Sequence, residues 1–132
     1  MYDVYISSEY EELAEKVIDE HPDLRWIRAT GVSIGYLESD QEKKNASGYV
    51  LGQCSVVKDI YRPYCHHDFL ITIFLPNTAH LSEEQKKVLL YHELLHVDVD
   101  ESSGEPKYRT APHDVEEFRS VIDQYGIDWA GR

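Results

Sequence analysis

The sequence predicts one α+β domain over residues 1–132, with an N-terminal helix, a small three- to four-stranded and mostly antiparallel sheet, a second helix and a C-terminal helix. Three observations carry that reading. Apolar residues recur at helical spacing in three separate stretches. Strand-forming, β-branched and aromatic residues gather between the first two of them. A length of 132 residues with 42% hydrophobic content suits one compact domain with one core.

The elements follow in order. Ser8 with Glu11 three residues on is a capping-box pattern, and Tyr10, Leu13, Ala14, Val17 and Ile18 then recur on one helical face until His21-Pro22 stops the run. Val32, Ile34 and Tyr36 alternate with small or polar residues, and Tyr49 to Val57 follows across the polar stretch Ser39 to Ser47. That arrangement predicts two neighbouring antiparallel strands joined by a loop. Phe69 to Leu75, closed by Pro76-Asn77, predicts a third strand. Ser82 and Gln85 form a second capping-box pattern, opening a helix through Val88, Leu89, His92 and His96 that should end soon after Val97. Asp98 to Thr110, polar and containing Gly104 and Pro106, reads as a loop. Pro112 then suits the first position of a final helix with Val115, Phe118, Ile122 and Tyr125 on its core face and Gly126 as its stop.

Charge narrows the function classes. Thirteen Lys and Arg against 25 Asp and Glu give a formal charge of −12, which opposes broad binding to nucleic acid or anionic lipid. The most apolar run, Phe69 to Leu75, falls well short of the roughly 18 residues that cross a bilayer, so no membrane partner is expected. The start, Met1-Tyr2-Asp3-Val4-Tyr5, has no secretory pattern, and the expected location is the cytoplasm. In that compartment Cys54 and Cys65 are expected to stay as thiols.

The residues that carry chemistry are His92-Glu93-Leu94-Leu95-His96. Two histidines four apart on a helix stand on the same face, where both imidazoles reach one tetrahedral Zn²⁺, and Glu93 points to the vacant side of the ion. Zinc acidifies a bound water, and a neighbouring carboxylate takes its proton and passes it to a leaving amine. His92 and His96 are therefore candidate metal ligands and Glu93 the candidate general base; the same histidines also fit ordinary helix positions without metal.

A catalytic zinc site commonly takes a third protein ligand. His113 is the first choice: sixteen residues separate it from His96, enough for a turn, and its place at the start of the final helix disfavours the imidazolium. Glu116 or Glu117, about twenty residues past His96, are alternatives of the kind that zincins use, and Asp98, Asp100 and Glu101 remain as nearer ones.

Together with His113-Asp114-Val115-Glu116-Glu117-Phe118 and Tyr125-Gly126-Ile127-Asp128-Trp129, this motif resembles the metallopeptidase domain found in many bacteriophage and prophage proteins. The resemblance covers about the last 60 residues well, and Leu81 to Lys87 is similar to that family's lead-in. It implies a minimal zincin-like fold, with His92, His96 and His113 as metal ligands and Glu93 as the catalytic residue. A more distant similarity is to SprT-like zinc proteases, although this chain lacks a basic or zinc-ribbon appendage for DNA.

Two further groups stand out. Cys54 with Cys65-His66-His67 offers ligands for a second metal, at a spacing that matches no common closed zinc motif. Tyr108, ahead of His113, is a candidate hydrogen-bond donor to a tetrahedral oxyanion. Two functions follow from the whole: a zinc metallopeptidase whose third strand offers an edge to an extended peptide or protein substrate, or a catalytically silent zinc-binding interaction module. Hydrolysis of a non-peptide amide would use the same residues. Oligomeric state is left open by the sequence.

Overall fold

The fold is that of a computed structural model, which describes residues 1–112. The C-terminal helix expected from Pro112 onward, with Val115, Phe118, Ile122 and Tyr125, lies outside the described residues.

The architecture is α+β. A short strand, β1 (Val4–Ile6), precedes α1 (Ser8–Glu20). The sequence had suggested no strand ahead of the first helix, because all three residues of β1 are exposed and leave no burial pattern. The helix starts as expected in place but not in chemistry: its N-cap is Ser7, whose hydroxyl accepts the Tyr10 N–H at 3.1 Å, and Ser8 is the first helical residue. Tyr10, Leu13, Ala14, Val17 and Ile18 are all buried, as their spacing predicted. A 3₁₀ turn over Pro22–Leu24 and the short α2 (Trp26–Ala29) lead into β2 (Ile34–Ser39).

Next come a hairpin of β3 (Lys44–Asn45) and β4 (Gly48–Tyr49), then β5 (Gly52–Val56), a 3₁₀ turn over Asp59–Tyr61, and β6 (Phe69–Phe74). Part of the stretch read as a loop thus forms the β3–β4 ribbon. The main sheet has the order β1-β2-β6-β5. β2 and β5 are therefore not neighbours, as the sequence had suggested; β6 lies between them, parallel to β2 and antiparallel to β5. The physical reason is burial. Phe69, Ile71, Thr72, Ile73 and Phe74 are all buried, so the strand is covered on both faces and takes a central position. For the same reason the third strand has no open edge for a substrate; among the described residues the edge of this sheet beyond β6 is β5.

After α3 (Leu75–Thr78), the helix α4 (Glu83–Leu94) opens with both arms of a capping box: Ser82 Oγ accepts the Gln85 N–H, and Gln85 Oε1 accepts the Ser82 N–H at 2.8 Å. α4 packs on α1, and together they cover the face of the sheet that carries Tyr36, Ile71 and Ile73. Val88, Leu89, Leu90, Tyr91, Glu93 and Leu94 are all buried along it.

α4 ends at Leu94, earlier than expected. The His96 N–H donates to Glu93 O at 3.1 Å in a tightened last turn, and the chain leaves as β7 (Val97–Asp100), antiparallel to β8 (Lys107–Thr110). Val97 and Val99 alternate with Asp98 and Asp100, the period of a strand, whereas polar composition had suggested a loop through residue 110. No helix among the described residues is long and apolar enough to cross a membrane.

Candidate metal and catalytic cleft

His92 and Glu93 sit in the last turn of α4. His96 sits one turn later, and its ring lies 5.2 Å from that of His92, centroid to centroid, with the planes at 69°. The β7–β8 hairpin then folds the chain back so that Ala111 meets His96 twice: the Ala111 N–H donates to His96 O, and His96 Nδ1 donates to Ala111 O, both at 2.6 Å. A carbonyl can only accept, so Nδ1 carries a proton, and in the neutral ring Nε2 is then the nitrogen available to a metal. Such a bond fixes the tautomer of a metal-binding histidine.

Glu93 is 4% exposed, and one carboxylate oxygen lies 3.9 Å from His92 Nε2. The opposing wall is β5. At Gly52 the absence of a side chain matters, since a Cβ there would come within 3.4 Å of Glu93 Cγ, 3.3 Å of Thr72 O and 3.2 Å of Ile73 Cδ1. Cys54, next on the same side of β5, has its thiol pushed up to about 12, first by burial and then by the charge of Glu93. Both cysteines are thiols.

These groups share a cleft of about 480 Å³, lined by His92, Glu93 and His96 on one side, Gly52, Gln53 and Cys54 on another, Asn45, Ser47 and Tyr49 from the β3–β4 ribbon, and Thr110, Ala111 and Pro112 after β8. Tyr49 and Cys54 were not assigned to this cleft from the sequence. Only the strand order brings them here, and no local spacing relates them to His92.

Two imidazoles at this separation in one cleft, one with its tautomer fixed by a backbone carbonyl, suit the donor chemistry of Zn²⁺. Among the described residues no group of three His, Cys, Asp or Glu is positioned to hold an ion. His113, Glu116 and Glu117 lie outside the described residues. The nearer carboxylates are directed elsewhere: Arg109 Nε donates to Asp98 at 2.6 Å and its Nη1 to Asp100 at 3.5 Å, and Glu101 is exposed at the hairpin tip.

The other sequence candidates separate as well. Cys54 faces the cleft, but His67 bonds Ser33 Oγ through Nδ1 at 2.8 Å on the β2 side, its ring tilted against that of His66, so among the described residues Cys54, Cys65, His66 and His67 do not assemble into a second metal group. Tyr108 lines a different cleft, edge-on to Phe69 at 5.8 Å, and not the one that holds Glu93.

Compared with known proteins, the chain matches one family model, described as Putative phage metallopeptidase, over residues 2–131. No curated protein and no solved structure matches it.

Proposed function

The chain belongs to the Putative phage metallopeptidase family, and from that premise we propose that it is a zinc-dependent peptidase of minimal zincin-like design, one domain over residues 1–132, with Glu93 as the general base. The observation that carries the reading is the meeting of the paired His92 and His96 rings with the buried Glu93 carboxylate in one cleft.

His92 and His96 would hold the ion, with His113 as the third ligand; Pro112, the residue before it, lines the cleft, which supports that choice over Glu116 or Glu117. When bound, zinc supplies a Lewis acid that polarises a scissile carbonyl and acidifies water. The chain's own groups do the rest. Ala111 O keeps the proton of His96 on Nδ1 and orients the ring. Glu93, shielded from bulk water, accepts the proton of the attacking water and returns it to the leaving amine. Cys54, held neutral, adds no competing negative charge beside Glu93. The cleft bordered by β5, the β3–β4 ribbon and the residues after β8 would receive the peptide beside Glu93.

The test combines metal content with hydrolysis. The purified chain is expected to hold zinc at about one equivalent and to cut a peptide library; Glu93→Gln keeps the metal and loses cleavage by roughly 10²- to 10⁴-fold. His92→Ala, His96→Ala and His113→Ala each lose the metal. A chain that takes up no zinc, or a Glu93→Gln variant that cuts at the native rate, overturns the proposal. Zinc uptake without cleavage would instead favour an interaction module.

A further inference from the structure

β8 lies alongside β5, and the two strands border a second cleft besides the one that holds Glu93. Gly52 to Cys54 face Thr110 to Pro112 at the first; Val56 to Lys58 face Pro106 to Tyr108 at the second. The strands therefore run in opposite directions, and the two clefts lie one after the other along the β5–β8 pair. From Cys54 to Val56 the strand advances about 7 Å, two residues of an extended peptide.

The second cleft, of about 770 Å³, inverts the charge of the protein. The chain as a whole carries −12, yet this cleft is lined by Lys58, Arg62 and Lys107 against Asp59 and Asp68. Asp68 is already engaged: Oδ1 accepts from Arg62 Nη1 at 2.7 Å and Oδ2 from the Ser33 N–H at 2.8 Å. Lys58 and Lys107 form no ion pair among the described residues. The Arg62 guanidinium lies 5.3 Å from the centroid of the Tyr108 ring, and its Nε is buried with no hydrogen-bond partner among the described residues. The Nε is closed off from the cleft, and an anion there would be met by the charge of Arg62 together with the two lysine ammonium groups.

We propose that this cleft is a carboxylate-binding subsite, so that a peptide spanning the two clefts is selected for an acidic group two to four residues from the bond that is cut. The inference rests on the peptidase reading for its substrate, but the anion site itself stands on Lys58, Arg62 and Lys107. A peptide carboxylate fits better than a polyanion, because one local inversion of charge does not offset the field of a −12 chain along a nucleic-acid backbone.

The test uses two pools of terminally blocked decapeptides, degenerate except for a fixed Glu in one pool and a fixed Gln in the other. Binding is measured to the zinc-loaded Glu93→Gln chain, which cannot turn them over. The Glu pool is expected to bind on the order of tenfold more tightly. The preference should collapse to within about twofold when Lys58→Gln and Lys107→Gln are added, both exposed positions whose loss leaves the fold intact, and it should weaken with added salt. A third pool with Gln fixed and a free C-terminus separates a terminal carboxylate from a side-chain one. Equal binding of all pools overturns the proposal, as does a preference that survives the double substitution or tighter binding of a single-stranded oligonucleotide at the same lysines. Cleavage by the unmodified chain separates the two readings: cutting without acidic preference removes the subsite and keeps the peptidase, whereas acidic preference in binding with no cutting removes the peptidase and keeps the anion site.

Discussion

His96 Nδ1 and the carbonyl oxygen of Ala111 are joined at 2.6 Å across fifteen positions of sequence, so the orientation of a candidate metal ligand is set by a backbone group on the far side of a hairpin. That hairpin is held by the β7–β8 ladder and by the side-chain bonds of Arg109 to Asp98 and Asp100.

Arg109→Ala should therefore affect the metal more than the fold. The ion pairs are solvent-exposed and screened by water, so the melting temperature is expected to change little. Zinc affinity, measured by competition with a chromophoric chelator, should fall by up to about tenfold, as for loss of support behind a ligand. Unchanged affinity would mean that Ala111 stays in place without the pair.

Ser7→Ala and Ser8→Ala separate the cap from its neighbour. Ser7 supplies the hydroxyl that accepts the Tyr10 N–H, so its loss is expected to cost about 1 kcal/mol in urea unfolding, while Ser8→Ala is near neutral. The reverse order would return the cap to Ser8.

Gly52→Ala presses a methyl group toward Glu93, Ile73 and the Thr72 carbonyl. Since the carbonyl belongs to the central strand and cannot swing aside, stability is expected to fall by about 1–3 kcal/mol. Peptide hydrolysis should fall by more than the folded fraction does, because the contact bears on the carboxylate itself. Hydrolysis that simply tracks the folded fraction would remove Gly52 from the site.

The pH response follows from two buried phenols and one half-buried thiol. Tyr10 is pushed up to about 12 and Tyr36 further still, in both cases chiefly by burial, and Cys54 is pushed up to about 12 by burial and then by Glu93. The ordinary values are 9.0 for the thiol and 10.0 for the phenols. The folded chain keeps protons that the unfolded chain releases, so this stability is complete below about pH 9 and is lost as pH rises through about 12. Urea midpoints measured from pH 7 to 12 should be flat and then fall. At pH 8, alkylation followed by peptide mass mapping should mark Cys65 well before Cys54.

Much of this was legible in the sequence where one residue's surroundings are local. The faces of α1 and α4 and the Ser82–Gln85 box follow from spacing alone, and the central apolar run from composition. Helix geometry accounts for His92 and Glu93, whereas His96 lies past the end of α4 and reaches the cleft through a tightened turn and the Ala111 carbonyl. What sequence spacing did not supply were pairings. β2 and β5 each look like half-buried strands, and nothing in either states that β6 comes between them. β7 was hidden because two aspartates make a strand look like a loop, and Tyr49 and Cys54 reach the cleft only through strand order.

The parallel pairing of β2 with β6 sets Ile34 opposite Phe69, with β5 carried in the excursion between them. A nascent chain that has emerged only as far as β5 therefore has no docking edge for it, and α4 is not yet made. The wall and the helix it faces come together only once synthesis has passed Leu94, and the side of the cleft made by Thr110 to Pro112 follows later still, so ribosome-bound fragments that stop short of Leu94 carry none of the cleft.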